Sequence, residues 1–199
     1  MCKFLVMALL VVSATTYAQK MKVKEGDIKN LKDISAYTLE FDYSNLEIPK
    51  FDSEEDFLAD KMAKREEKEA GTGEKFKESW FADREERYEP KFIESFNKRF
   101  DDGEVSVSMD AADYTMKIHT TKIYAGYNVG IVRKNAEIST VITVYETANP
   151  TNVLLEGTYE DVQGYGAMGN DYNSGYRISE CYAKLAKNIA GYIIKKALK

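Results

Sequence analysis

The C-terminal segment, residues 176–198, reads YRISECYAKLAKNIAGYIIKKAL. Its apolar side chains recur every three or four residues, which is the period of one face of an α-helix. That face carries Ile178, Cys181, Tyr182, Leu185, Ile189, Tyr192 and Ile193. The pattern predicts a long amphipathic helix that closes a hydrophobic core and buries Cys181 as a small apolar side chain.

A glycine-rich loop precedes this helix. Gly164, Gly166 and Gly169 match the G-x-G-x-x-G spacing that cradles a pyrophosphate. No strand follows the predicted helix, so the motif lacks the βαβ unit in which it holds a dinucleotide. We therefore predict no cofactor here, and we expect the loop from Gly164 to Gly175 to be either a simple connection or the lip of a site.

The N-terminus has the layout of a secretory signal peptide. Lys3 precedes an apolar run that is too short to span a bilayer, and small residues lead to Ala18. Cys2 lies before the apolar run, so it cannot anchor a lipid at a mature N-terminus. We expect cleavage near Ala18 and export to the periplasm or the extracellular space, and we exclude residues 1–18 from the fold. No later run predicts a transmembrane segment.

The composition of the remaining chain limits the number of domains, the possible disulfides and the class of ligand. About 180 residues suit one domain. Cys181 is then the only cysteine, so no intramolecular disulfide can form. The formal net charge of -5 becomes -6 when Lys3 is removed, which disfavours nucleic-acid binding.

Alternating apolar and polar residues predict a sheet. The clearest case is Tyr37, Leu39, Phe41 and Tyr43, and further strands are expected between Gly103 and Tyr165. Short connections between these later strands favour antiparallel pairing. We predict an α+β domain over residues 34–199 in the order β-α-α-β-β-β-β-α, with a mostly antiparallel sheet of five or six strands and helices on one face. Residues 19–33 are predicted to form a loose N-terminal arm.

A charged helical insertion is expected over residues 53–89. Ser53 and the acids after it are typical of a helix start, and Pro90 is expected to begin a new helix or kink the old one. Phe76 and Trp80 would share one helical face, and Phe81 and Tyr88 another. Such a helix is either clamped between neighbours or presents an aromatic surface to a ligand or to a second copy. The candidate binding residues are Phe76, Trp80, Phe81 and Tyr88, with Tyr165 and Tyr172 beside the glycine-rich loop.

The sequence offers little support for common catalytic centres. His119 is the only histidine, so a multi-histidine zinc site cannot form. A Cys–His pair would require the predicted buried Cys181 to meet His119, and no G-x-S-x-G elbow occurs. Paired carboxylates stay possible because the chain contains 33 acidic residues. We predict no metal site and assign no catalytic residue.

The order of predicted elements resembles that of a known domain type. It consists of an early strand over residues 37–43, a helix through Phe92 and Phe96, β-hairpins through 114–118 and 138–145, and a helix from Arg177 onward. In this order the chain resembles the periplasmic domain shared by the curli secretion lipoprotein and the N-terminal domain of the TolB protein. It differs by having no lipid-anchoring cysteine and by carrying the charged insertion. The resemblance implies an assembly or accessory role at the bacterial cell envelope.

These observations predict an exported, non-enzymatic binding protein that contacts a protein or another envelope component. One alternative is a carboxylate-dependent hydrolase acting on glycan or peptide. Another is a structural module that forms homo-oligomers.

Overall fold

The structure, a computed structural model, describes residues 20–100, 102–129, 132–165 and 174–199. The predicted signal peptide and most of the glycine-rich loop, including Tyr172, lie outside these residues.

Eight strands are present in the described residues: β1 (Lys22–Gly26), β2 (Ala36–Asp42), β3 (Ser106–Ser108), β4 (Tyr114–Tyr124), β5 (Tyr127–Val129), β6 (Val132–Lys134), β7 (Glu137–Glu146) and β8 (Asn149–Gln163). Six of them form an open mixed sheet in the order β1-β8-β7-β4-β2-β3, while β5 pairs with β6. Pairing is antiparallel from β1 through β4 in this order, as the short connections predict. Strand β2 is parallel to both β3 and β4.

The parallel pairs follow from a helical crossover between β2 and β3. It contains α1 (Glu54–Glu66), α2 (Thr72–Asp83), a π-helical turn (Arg84–Tyr88) and α3 (Glu89–Asn97). Such a long crossover returns the chain to the same end of the sheet, which short hairpins cannot do. The final helix, α4 (Ser174–Lys196), follows β8. The α+β prediction is therefore confirmed.

The main core lies between the sheet and α4 with α3. Met116, Ile118, Ile138, Ile142 and Val144 are fully buried, as their alternation along β4 and β7 predicts. The apolar face of α4 is buried as its spacing predicts, including Cys181, except for Tyr192, which is only partly buried. On α3, the Phe92 ring meets Phe41 of β2 edge to face at 5.8 Å between centroids. None of the helices in the described ranges combines the length and the apolar character that a membrane span requires.

The prediction of a loose N-terminal arm is wrong. Residues 22–26 form the edge strand β1, which pairs with β8, and Ile28 and Leu31 of the following 3₁₀ helix are buried. All five residues of β1 are exposed, so the strand has no alternating pattern of burial. Backbone pairing and an ion pair between Lys22 and Glu160 hold it to the sheet, and the sequence pattern shows neither.

The helical insertion packs back onto the domain. Phe57, Leu58, Trp80 and Tyr88 are buried. The expected grouping of Phe81 with Tyr88 is wrong, because Phe81 is 41% exposed and Tyr88 only 1%. The π turn between them explains this difference. Its wider turn reduces the rotation per residue and brings Tyr88 onto the buried face of Trp80.

Candidate functional site

The turn between α1 and α2 is fixed by its own side chains and backbone. Gly71 adopts a left-handed conformation at φ 77°, which few other residues reach without strain. The Glu66 carboxylate accepts the amides of Gly71 at 2.8 Å and Gly73 at 3.1 Å, and the Thr72 hydroxyl donates to the Arg65 carbonyl at 2.8 Å. These bonds satisfy the first amides of α2 and hold the two helices as a hairpin.

An aromatic cluster joins this hairpin to the domain. The Phe57 ring of α1 lies 4.8 Å from Trp80 and 6.1 Å from Phe76 of α2, and 5.3 Å from Phe51, measured between centroids. Edge-to-face and tilted contacts of this kind are favourable for aromatic pairs. The highly charged α1 has no broad apolar face, and these four rings provide the apolar contact with the domain instead.

Cations lie against these rings. The Lys61 ammonium is 5.6 Å from the centroids of both Phe51 and Phe57, and the Arg65 guanidinium is 4.2 Å from that of Phe76. Cation–π attraction favours these positions. The contacts fix two positive charges at the edge of the aromatic cluster.

Glu54 connects the first turn of α1 to α2 and the π turn. Its carboxylate accepts the indole N–H of Trp80 at 2.5 Å and pairs with Arg84, and the charged side chains of this pair are each 17% exposed. The Arg84 guanidinium also covers the rings of Tyr43 and Phe81, at 4.7 and 4.9 Å from their centroids. The indole orientation is therefore set by a half-buried ion pair.

Two adjoining concavities open beside this cluster. One, of about 350 Å³, lies along α2, and the other, of about 300 Å³, lies between α1 and the start of β5. Arg65, Lys68, Phe76 and Ser174 line both of them. We call the combined depression the insertion groove. Aromatic side chains contribute to its surface: Phe51, Phe57, Phe76, Trp80, Tyr124 and Tyr127.

The insertion groove is strongly basic although the whole chain carries a formal net charge of -5. Its basic side chains are Lys50, Lys61, Lys64, Arg65, Lys68, Lys75, Arg87 and Arg177. Among the described residues, its acidic side chains are Glu69 and Asp83, and Asp60 beside it pairs with Lys61 and Lys64. Concentrated positive charge in a concave surface attracts anions and repels cations.

Asp83 links the groove to the first turn of α4. Its carboxylate lies against Gly175 so closely that a Cβ at position 175 would overlap it, and Arg87 Nε lies 2.6 Å from it. Burial raises the pKa of Asp83, and the Arg87 charge partly opposes that effect. An anionic carboxylate at this end of α4 also complements the helix dipole. Asp83 therefore has a structural role at the end of the groove.

The structure divides the six predicted binding residues. Phe76 and Trp80 lie together in the groove. Phe81 lies outside it, and Tyr88 is buried with its ring stacked on Tyr182 at 5.2 Å. Tyr165 is 64% exposed, and its hydroxyl donates to Gln163 at 3.3 Å. Tyr172 is outside the described residues. The predicted binding residues that the structure describes therefore do not form a single surface.

The sequence reasoning missed the part of the groove that α1 contributes. Phe57, Lys61 and Arg65 are spaced four residues apart, which places a ring and two cations on one helical face. Phe76 and Trp80 have the same spacing on α2. Two such faces on consecutive helices were the sequence signal that could have indicated the groove.

Other chemistry-bearing residues lie in structural roles. Cys181 is fully buried, its thiol accepts the Gly164 amide at 3.2 Å, and burial raises its pKa to about 12. His119 Nε2 lies 2.9 Å from the Ser44 carbonyl oxygen on the open face of the sheet. On that face Lys117 pairs with Glu40 and Asp42, each at 2.9 Å. Within the described ranges, acidic, histidine and cysteine side chains form no cluster of three suited to a metal ion.

Comparisons of the chain with known protein families, curated proteins and solved structures found no significant match. The resemblance to envelope domains therefore stays a prediction from the order of elements.

Proposed function

We propose that the protein is an exported, non-enzymatic accessory protein of the cell envelope that binds another envelope component in the insertion groove. The observation that carries this proposal is the groove itself. It combines an aromatic surface with concentrated positive charge, and it joins two concavities of about 350 and 300 Å³. Concave sites with aromatic walls and a few charged groups are typical of ligand-binding surfaces.

The environment of the groove acids supports binding over carboxylate catalysis. A hydrolase of the carboxylate type needs two acids placed on either side of the scissile bond, one of them with a raised pKa. Asp83 has a raised pKa, but its carboxylate is held by Arg87 and by the first turn of α4. Glu69, the other acid among the described groove residues, lies beyond the end of α1.

Photo-crosslinking in the native envelope tests this proposal. A photo-reactive amino acid replaces Ser79, an exposed residue that lines the groove, in the full-length exported protein. The control places the same amino acid at Lys24, an exposed residue of edge strand β1. We expect a defined adduct with one envelope component from position 79 and none from position 24.

Equal adducts from both positions, or none from either, would contradict the proposal. An adduct between two copies of the chain from position 79 would replace it with the homo-oligomeric alternative. Mass spectrometry of the adduct identifies the partner.

A further inference from the structure

We infer that the insertion groove binds an acidic segment of polypeptide, in which glutamate or aspartate side chains alternate with apolar ones. This inference rests on the proposed function and names the class of partner for the same site. Three properties of the groove point to this class: its hydrogen-bonding character, its shape and the positions of its cations.

Among the described residues of the groove, cationic donors outnumber anionic acceptors, and five hydroxyl side chains both donate and accept. Lysine and arginine side chains only donate hydrogen bonds, and an ionised carboxylate only accepts them. Of the two acids among the described groove residues, Asp83 is paired with Arg87. A ligand rich in carboxylates complements this surface.

The shape of the groove suits an extended chain. Its two concavities meet at Phe76 and Arg65, so a ligand can continue from one into the other. In an extended peptide, successive side chains point to opposite sides. Apolar side chains can then contact the rings while acidic side chains reach the cations at the edge.

The cations beside the rings are held in place before a ligand binds. Arg65 lies over Phe76, and Lys61 lies between Phe51 and Phe57 and pairs with Asp60 at 3.5 Å. Prior ordering of charged side chains lowers the entropy that binding would otherwise cost. Carboxylates at the matching positions therefore gain both charge pairing and complementary geometry.

Surfaces and polymers that carry many phosphates, such as an anionic bilayer or a nucleic acid, fit the groove less well than an acidic peptide does. A flat bilayer touches protruding residues, whereas these cations and rings together line a concave surface. A long nucleic acid would also approach the rest of an acidic chain, with a formal net charge of -5, and be repelled by it. A short acidic peptide avoids most of that repulsion.

Trp80 provides a direct reporter, because it lines the groove and is the only tryptophan in the chain. The titration uses the protein lacking residues 1–18 and a short synthetic peptide of alternating glutamate and leucine. A second peptide carries glutamine at each glutamate position. We expect a saturable change in Trp80 fluorescence with the glutamate peptide, at least tenfold weaker binding of the glutamine peptide, and weaker binding as salt rises.

Two neighbouring lysines on α2 supply a matched pair of variants. Lys75 lines the groove, whereas Lys77 is an exposed lysine of the same helix that does not line it. Both substitutions, Lys75→Glu and Lys77→Glu, make the same change of charge. We expect Lys75→Glu to weaken the glutamate peptide roughly three- to tenfold and Lys77→Glu to weaken it less than twofold.

Equal effects of the two substitutions would overturn the inference, as would equal binding of the glutamine peptide. It would also be overturned if inorganic polyphosphate or phosphatidylglycerol vesicles bound as tightly as the glutamate peptide and with the same dependence on Lys75. In the crosslinking experiment with Ser79 replaced, Lys75→Glu separates this inference from the proposed function. An envelope adduct that needs Lys75, together with no binding of the glutamate peptide, rejects the acidic peptide and keeps the envelope-binding function.

Discussion

The core beneath α4 and the aromatic cluster of the helical insertion bury apolar surface in different ways. Under α4, aliphatic side chains of the sheet such as Ile142 and Val144 are fully buried, and the helix covers them along much of its length. In the insertion, Phe57 and Trp80 are buried but Phe51 and Phe76 are only partly so. Charged side chains complete the covering of the rings.

This difference shows how a charged helix can be attached to a domain and still leave a site. From Asp60 to Glu69 the sequence has too few apolar residues for a continuous apolar face. A small number of large rings provides enough buried area, and lysine and arginine cover what remains through cation–π contacts. The core under α4 is closed by fully buried aliphatic side chains, whereas the insertion keeps the insertion groove.

The largest expected effect is on the main core. Phe92 is fully buried and contacts Phe41 and Phe96. Phe92→Ala should lower the free energy of unfolding by about 4 kcal/mol, because it removes buried area and leaves a cavity. Urea denaturation measures this change, and Phe92→Leu should lose less. A loss below about 1 kcal/mol would mean that this region is less tightly packed than the structure indicates.

A smaller and more local effect is expected in the aromatic cluster. Phe57→Ala should cost about 2 to 4 kcal/mol, and the loss should appear as faster hydrogen exchange at the amides of α1 and α2. Phe81→Ala is the control, because its side chain is already 41% exposed and should change stability by less than about 0.5 kcal/mol. Equal protection of α1 and α2 in both variants would contradict a separate role for the cluster.

The pair between Glu54 and Arg84 should rank next. Glu54→Gln leaves the Arg84 guanidinium without its carboxylate and should lower the free energy of unfolding by about 1 to 3 kcal/mol. It should also shift Trp80 fluorescence, since Glu54 accepts the indole N–H. Glu55→Gln removes the same charge from the same helical turn at an exposed position and is the control. Equal losses from both variants would assign the effect to the helix dipole.

The smallest effect on stability is expected on the open face of the sheet, where Lys117→Met removes the ion pairs of Lys117 with Glu40 and Asp42, all of them partly exposed. Hydrogen bonding from Lys117 lowers the pKa of Glu40, and hydrogen bonds from Ser44 and then Lys117 lower that of Asp42. A lowered folded-state pKa stabilises the fold above the ordinary carboxyl pKa of about 4, and this contribution is lost as pH falls through the folded value.

We therefore expect Lys117→Met to cost less than about 1 kcal/mol at neutral pH. The difference in stability from the wild-type protein should shrink as the solution is acidified below pH of about 4, and urea denaturation across this range measures it. A difference that grows on acidification would show that these carboxyls are not stabilised by Lys117.

The main fold could be predicted where side-chain period and burial coincide. Alternation along β4 and β7, and the apolar face of α4, led directly to residues that are fully buried, including Met116, Ile138 and Cys181. Strand β1 could not be predicted in this way, because its exposed side chains carry no pattern and backbone pairing holds it. The π turn was equally hidden, since a change in helical phase leaves no mark in composition.

The candidate site could be predicted only in part, through Phe76 and Trp80. Their spacing on α2 was visible, but their neighbours come from segments far apart in sequence, such as Phe51, Phe57 and Tyr127. Long-range contacts of this kind depend on how the helical hairpin packs against the domain. Local sequence patterns do not contain that geometry.

By itself, the amino-acid sequence determined the α+β class, the helix that closes the core and the burial of Cys181, because these depend on local periodicity and on the chemistry of single residues. Only the tertiary structure decided that the charged insertion packs back, that Tyr88 joins the core while Phe81 does not, and that basic and aromatic residues surround one groove. Those outcomes depend on contacts between segments distant in the chain, where the packing of rings and the pairing of charges select one arrangement.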